Sequence, residues 1–132
     1  MKATDLMIGD LVLYVDREGE IETPCKIHSL NQNREWSAQI LNSEFIFQSD
    51  NNECSVEECL RPILLTSDIL KKNGWVLDEI DGSYRNYDNH FWIGGRNAPW
   101  VIMISNICEE FNYVHELQHA LKLCGIEKEI VL

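Results

Sequence analysis

Short apolar stretches of strand length run along this chain between clusters of Gly, Asn, Asp and Ser, and helical spacing is confined to a few segments. Leu11 to Val15 follows a turn at Gly9-Asp10 and predicts a first strand. Ile21 to Leu30 predicts a second, interrupted near Pro24, because proline removes a ladder donor. Trp36 to Leu41 and Glu44 to Phe47, around Asn42-Ser43, predict two more, with Arg17–Glu20 and Asn31–Arg34 as polar turns. Ser55 to Leu60 has room for one helical turn before Pro62. Thr66-Ser67-Asp68 supplies capping hydroxyls and an early carboxylate for a helix that Gly74 closes. Trp75–Leu77, Ser83–Arg85, His90–Ile93 and Trp100–Ile104 then read as four strands. A helix over Asn112–Leu123 closes at Gly125, and Glu129–Leu132 reads as a final strand.

The order is β-rich, then helix, meander, helix and strand, without the alternation that builds parallel sheets. The pattern therefore predicts an α+β protein, mainly antiparallel. Its front half, residues 1–61, is expected to form an SH3-like small barrel or meander, and residues 62–132 a β-meander carrying two helices. The opening Ile8-Gly9-Asp10-Leu11-Val12 has the form Ile-Gly-Asp-x-Val, common at the first strand of SH3-like barrels.

Composition narrows the function classes. The 132 residues include 22 acids against 11 bases, a formal charge of −11. Up to Thr66 the net is −7 and from Ser67 onward −4, so neither half supplies the basic surface that phosphate neutralisation needs. Direct nucleic-acid binding is not expected. A protein partner is, or, as an alternative, an acidic decoy that occupies a DNA-binding protein. No apolar run reaches the ~18 residues of a membrane span, and the opening Met1–Asp5 lacks a leader's apolar core; the expectation is a soluble, cytoplasmic protein. Cys25, Cys54, Cys59, Cys108 and Cys124 are odd in number and lack a Cys-x-x-Cys spacing, which predicts reduced thiols. Cys54 and Cys59 have no second pair with which to complete a zinc site, and no cofactor is expected.

One segment carries a recognisable chemistry. His115-Glu116-Leu117-Gln118-His119 matches H-E-x-x-H on a predicted helix. Two His at i and i+4 share a helix face and can reach one zinc, and the Glu can serve as base on the metal-bound water. Against this, the candidates for a third ligand downstream are Glu127 and Glu129, and Lys122 and Gly125 stand where a metzincin has its Gly and third His. At 100° per residue, Val114, Leu117, Ala120, Leu121 and Cys124 make one apolar stripe, which places His115, Gln118, His119 and Lys122 on the opposite, solvated face. The expectation is that no catalytic or metal-binding residue is present. The zinc hydrolase built on His115, His119 and Glu116 is the alternative.

Other groups offer less. Gly94-Gly95-Arg96 has no following helix to cradle a phosphate, and His28 and His90 are isolated. Asp78, Glu79 and Asp81 flank a turn as a solvated loop does, and Trp36, Trp75, Trp92 and Trp100 are expected in the core. Ile8–Val12, Pro62–Thr66 with Ile69-Leu70 and Gly74-Trp75, and Tyr113–Gln118 follow in an order that resembles a family of small uncharacterised Bacteroides and related proteins, some linked to phages or mobile elements. The family signature, Val-His-x-Leu-Gln, leaves out Glu116 and His119, which implies helix docking rather than catalysis for His115 and Gln118. Together these observations predict a non-enzymatic protein-interaction module.

Overall fold

Leu6 to Asp10 turn back on themselves around Gly9, whose φ of 96° lies where a side chain is strained. The Asp10 carboxylate closes the turn by accepting from the Met7 N–H at 2.7 Å, and the Gly9 N–H donates to Ile27 O at 2.8 Å. The computed structural model describes residues 5–16, 18–30, 35–48, 55–102 and 109–132, and the chain divides into two units, Met1–Ile63 and Leu64–Leu132. Both are mainly antiparallel β, with helices added in an α+β arrangement.

The first unit holds β1 (Leu11–Val15), β2 (Glu22–Leu30), β3 (Trp36–Ile40), β4 (Ile46–Gln48), the four-residue helix α1 (Val56–Cys59) and β5 (Leu60–Pro62). They form one sheet in the order β4-β3-β2-β1-β5. No pairing joins the edge strands β4 and β5 among the described residues, so the sheet is open. Side chains at alternate positions, Cys25 and Ile27 on β2 and Trp36 and Ala38 on β3, turn inward with Val12 and Leu60 to form the core. The β5 strand was not anticipated; it exists because Val12, Leu13 and Tyr14 offer β1's second edge to Pro62, Arg61 and Leu60.

Pro24 does not interrupt β2. Its carbonyl accepts from the Leu41 N–H at 3.2 Å, so its own nitrogen faces the same side, beyond Ile40, the last paired residue of β3. The missing donor there costs no ladder bond. The register shift lies instead between Ile27 and Ser29. Burial pushes the free Cys25 thiol up. Cys59 is disulfide-bonded, whereas Cys25 and Cys124 are free. That corrects the expectation of reduced thiols for Cys59, while Cys25 and Cys124 follow it; spacing along the chain does not report proximity in space. Cys54 and Cys108, like the turn Asn31–Arg34 and Arg17, lie outside the described residues.

The second unit contains α2 (Ser67–Lys72), β6 (Val76–Leu77), β7 (Tyr84–Asn86), β8 (Phe91–Gly94), β9 (Trp100–Ile102), β10 (Glu110–Phe111) and α3 (Val114–Leu123). Its sheet is a meander, β10-β9-β8-β7-β6. The Thr66 hydroxyl caps α2 by accepting from the Ile69 N–H at 3.3 Å, and Gly74, at φ 91°, ends it. Two buried indoles anchor the core: Trp75 Nε1–H donates to Phe91 O at 2.8 Å and Trp100 Nε1–H to Leu65 O at 3.0 Å.

The expected final strand at Glu129–Leu132 does not form. The segment is held by a side chain instead. Asn73, buried at the end of α2, accepts from the Val131 N–H at 2.7 Å and donates to Val131 O at 2.7 Å and Ile69 O at 2.8 Å. Its amide group thus does for Val131 what a neighbouring strand would do, and Ile130 is buried beside it in sequence. The Lys72 ammonium adds a bond to Leu132 O.

Candidate functional site

Three places carry the side chains from which a function could be built. The first is the start of α3. Here His115 and His119 lie on one helix face, their rings 5.6 Å apart at 75°, as the four-residue spacing requires. Glu116 stands at N3 and turns back to the helix start. One of its oxygens, Oε1, accepts from the backbone N–H groups of both Asn112 and Tyr113, each at 3.1 Å. The carboxylate satisfies donors that a helix N-terminus leaves orphaned. With Oε1 committed to two amides, Oε2 is the oxygen of Glu116 left to take a proton from a metal-bound water.

His115 is not on the solvated face where the helical wheel put it. It is only 5% exposed, with the Tyr113 ring stacked on it at 5.9 Å and 9° and His119 against its edge. The buried arc of α3 is wider than its apolar stripe, because neighbouring aromatic rings cover a polar position at its border. At the other end Cys124 is exposed. It is the C-cap, past the last helical residue, so the stripe does not reach it. Glu127 and Glu129 are exposed, and no group of three or more His, Cys, Asp or Glu side chains is placed to hold a metal among the described residues. Cys54, named with Cys59 as a zinc pair, lies outside the described residues, and a disulfide-bonded Cys59 has no thiolate to offer.

The second place is an aromatic rim in the first unit. Tyr14 on β1 and Phe47 on β4 stack at 4.1 Å and 14°, although β2 and β3 separate their strands in the sheet. Such contact requires the sheet to curl strongly, the twist that five antiparallel strands acquire when one face closes on a core. Trp36 lies beneath, 6.2 Å from Tyr14. Phe45, in the loop before β4, meets Phe47 edge-on at 5.0 Å and 73° while 57% of it remains exposed. The Asn42-Ser43 turn places it: Asn42 adopts φ 60°, and the Ser43 hydroxyl accepts from the Phe45 N–H at 3.1 Å. Sequence reasoning missed this rim, since Tyr14 and Phe47 are far apart along the chain. The close spacing of Phe45 and Phe47 was its one available signal.

The third is the β6–β7 hairpin. The acids expected to form a solvated loop are organised by Arg85. Its guanidinium lies 3.3 Å from the Asp78 carboxylate and 2.5 Å from that of Asp81, and 4.2 Å over the ring of Trp92, its cross-strand partner on β8. The Ser83 hydroxyl and N–H both donate to Asp81 Oδ1, at 2.6 and 2.9 Å. These two bonds, with the bond from Arg85, hold the Asp81 carboxyl down at about 2. Arg85 sits four residues after Asp81 across Gly82, a spacing from which this pair could have been anticipated.

Comparison with known protein families, with characterised proteins and with solved structures finds no match. Among the described residues no helix is long and apolar enough to cross a membrane.

Proposed function

We propose that this chain is a non-enzymatic protein-interaction module whose first unit follows an SH3-like strand plan in an open sheet and docks an extended, apolar segment of a partner protein on its aromatic rim. The order β4-β3-β2-β1-β5, with a short helix before β5, supports the strand plan. The observation that carries the docking reading is Phe45. A large ring is held in one orientation against the Phe47–Tyr14 stack, yet more than half of it faces solvent. Rigid aromatic surfaces bind extended peptides at little entropic cost, because few rotors are frozen on contact. The excess of acids in this half favours partners that carry basic residues beside the apolar ones. The resemblance to small Bacteroides proteins of phages and mobile elements is compatible with such a module.

A displayed library of random peptides, panned against the wild-type chain and against Phe45→Ala, tests this. The expected result is a set of peptides enriched on the wild type and lost on the variant. Failure to enrich any peptide, or equal retention by Phe45→Ala, removes the reading.

A further inference from the structure

The second unit presents a different surface, which stands or falls independently of Phe45. We propose that the β6 edge, Val76-Leu77 with the turn that follows, accepts an extended segment of alternating basic and aliphatic residues as an added strand.

The backbone comes first. β6 ends its sheet, with β7 on one side and no strand on the other among the described residues. The Asp78 N–H donates to Ser83 O at 2.7 Å, so residue 78 directs its backbone groups toward β7. By the alternation of an antiparallel ladder, Leu77 directs its N–H and C=O outward.

The side chains agree. Consecutive strand residues point to opposite faces, yet Val76 is 57% and Leu77 41% exposed, so neither face of the sheet is covered at this edge. At the tip Ile80 is 98% exposed. Edges that must stay unpaired usually carry lysine, proline or an inward charge at the strand itself; this one carries valine and leucine.

Charge selects the occupant. From Val76 to Asn86 the hairpin holds three carboxylates, Asp78, Glu79 and Asp81, against the single guanidinium of Arg85. Two copies paired along β6 would bring these acidic turns within a Debye length of about 8 Å and repel. A basic strand gains from the same field, and its aliphatic positions cover Val76, Leu77 and Ile80. Strand addition supplies the backbone bonds and the alternating side chains supply selectivity.

The test uses the full chain and two short synthetic peptides, one alternating Lys and Val and the other Glu and Val. The Lys–Val peptide is expected to bind, to slow exchange of the Leu77 amide about tenfold, and to lose affinity in high salt. Measured in the Phe45→Ala background, so that the aromatic rim does not contribute, Leu77→Lys, or Ile80→Lys should the first variant misfold, is expected to weaken binding by about tenfold. Equal binding of the Glu–Val peptide, an unchanged Leu77 amide, no binding of either peptide, or dimerisation of the chain that Leu77→Lys abolishes would each overturn the proposal.

Discussion

The buried indoles of one unit and the stacked rings of the other are held in different ways. In Leu64–Leu132, Trp75 and Trp100 are buried and each satisfies the indole N–H on a backbone carbonyl of another segment, while Tyr87 of the same unit is 63% exposed. In Met1–Ile63 Trp36 is buried, but Tyr14, Phe45 and Phe47 stack on one another at the rim of a core built from smaller side chains. A ring whose polar edge is bonded internally belongs to the fold. A ring held only by other rings, and wet on its far side, is stabilised enough to be ordered and remains available for contact. The difference teaches that order alone does not mark an aromatic residue as core; the completeness of its partners does.

The largest test of this contrast pairs Trp75→Ala with Phe45→Ala. Removing Trp75 leaves a cavity and takes away the indole bond to the Phe91 carbonyl, and is expected to cost about 3–5 kcal/mol in denaturant unfolding. Removing Phe45 is expected to change stability by no more than about 0.5 kcal/mol. Comparable losses would dissolve the distinction. Next is Asn73→Ala, which deletes both bonds to Val131 and is expected to cost about 2 kcal/mol. Hydrogen exchange at the Val131 amide should rise sharply; unchanged protection would show that Ile130 alone secures the tail.

A smaller loss, about 1 kcal/mol, is expected for Glu116→Ala through the start of α3, with Glu116→Gln recovering most of it because an amide oxygen still accepts. Zinc bound stoichiometrically by the wild type and lost in His119→Ala would instead restore the metal reading of that helix. The slightest effect concerns acid. Asp81 is held at about 2, below its ordinary 3.8, so its contribution is present above pH 3.8 and disappears as the pH falls through about 2. Thermal melts across that interval should show a fall that Asp81→Asn flattens. Since the Asp81–Arg85 pair lies at the surface, salt should weaken the effect as well.

Much of the local structure was legible in order along the chain. Thr66 and Gly74 mark the ends of α2 by hydroxyl capping and positive φ, and Ser55 and Glu58 form a capping box on the one-turn helix α1. The turns at Gly9 and Asn42 stand where small and polar residues cluster. The five-residue strands around them followed from apolar runs of the right length. The i, i+4 geometry of His115 and His119 also came out as the helix dictates.

What could not be read depends on pairs remote in sequence. β5 and β10 are two or three residues long and exist only because β1 and β9 offer them a free edge. Asn73 looks like an ordinary helix-ending asparagine until Val131 is brought to it across 58 positions. His115 and Glu116 are exceptions, misread although their partners Asn112, Tyr113 and His119 lie within four residues, because a helical wheel that counts only apolar side chains passes over ring stacking and capping. Local periodicity and capping chemistry act over three or four residues, and the sequence by itself determined those. The exposure of Phe45, the bare edge of β6 and the roles of buried polar groups depend on which distant segments arrive beside them. Only the tertiary structure decides that, because burial and hydrogen-bond partners are properties of the packed neighbourhood and not of the residue.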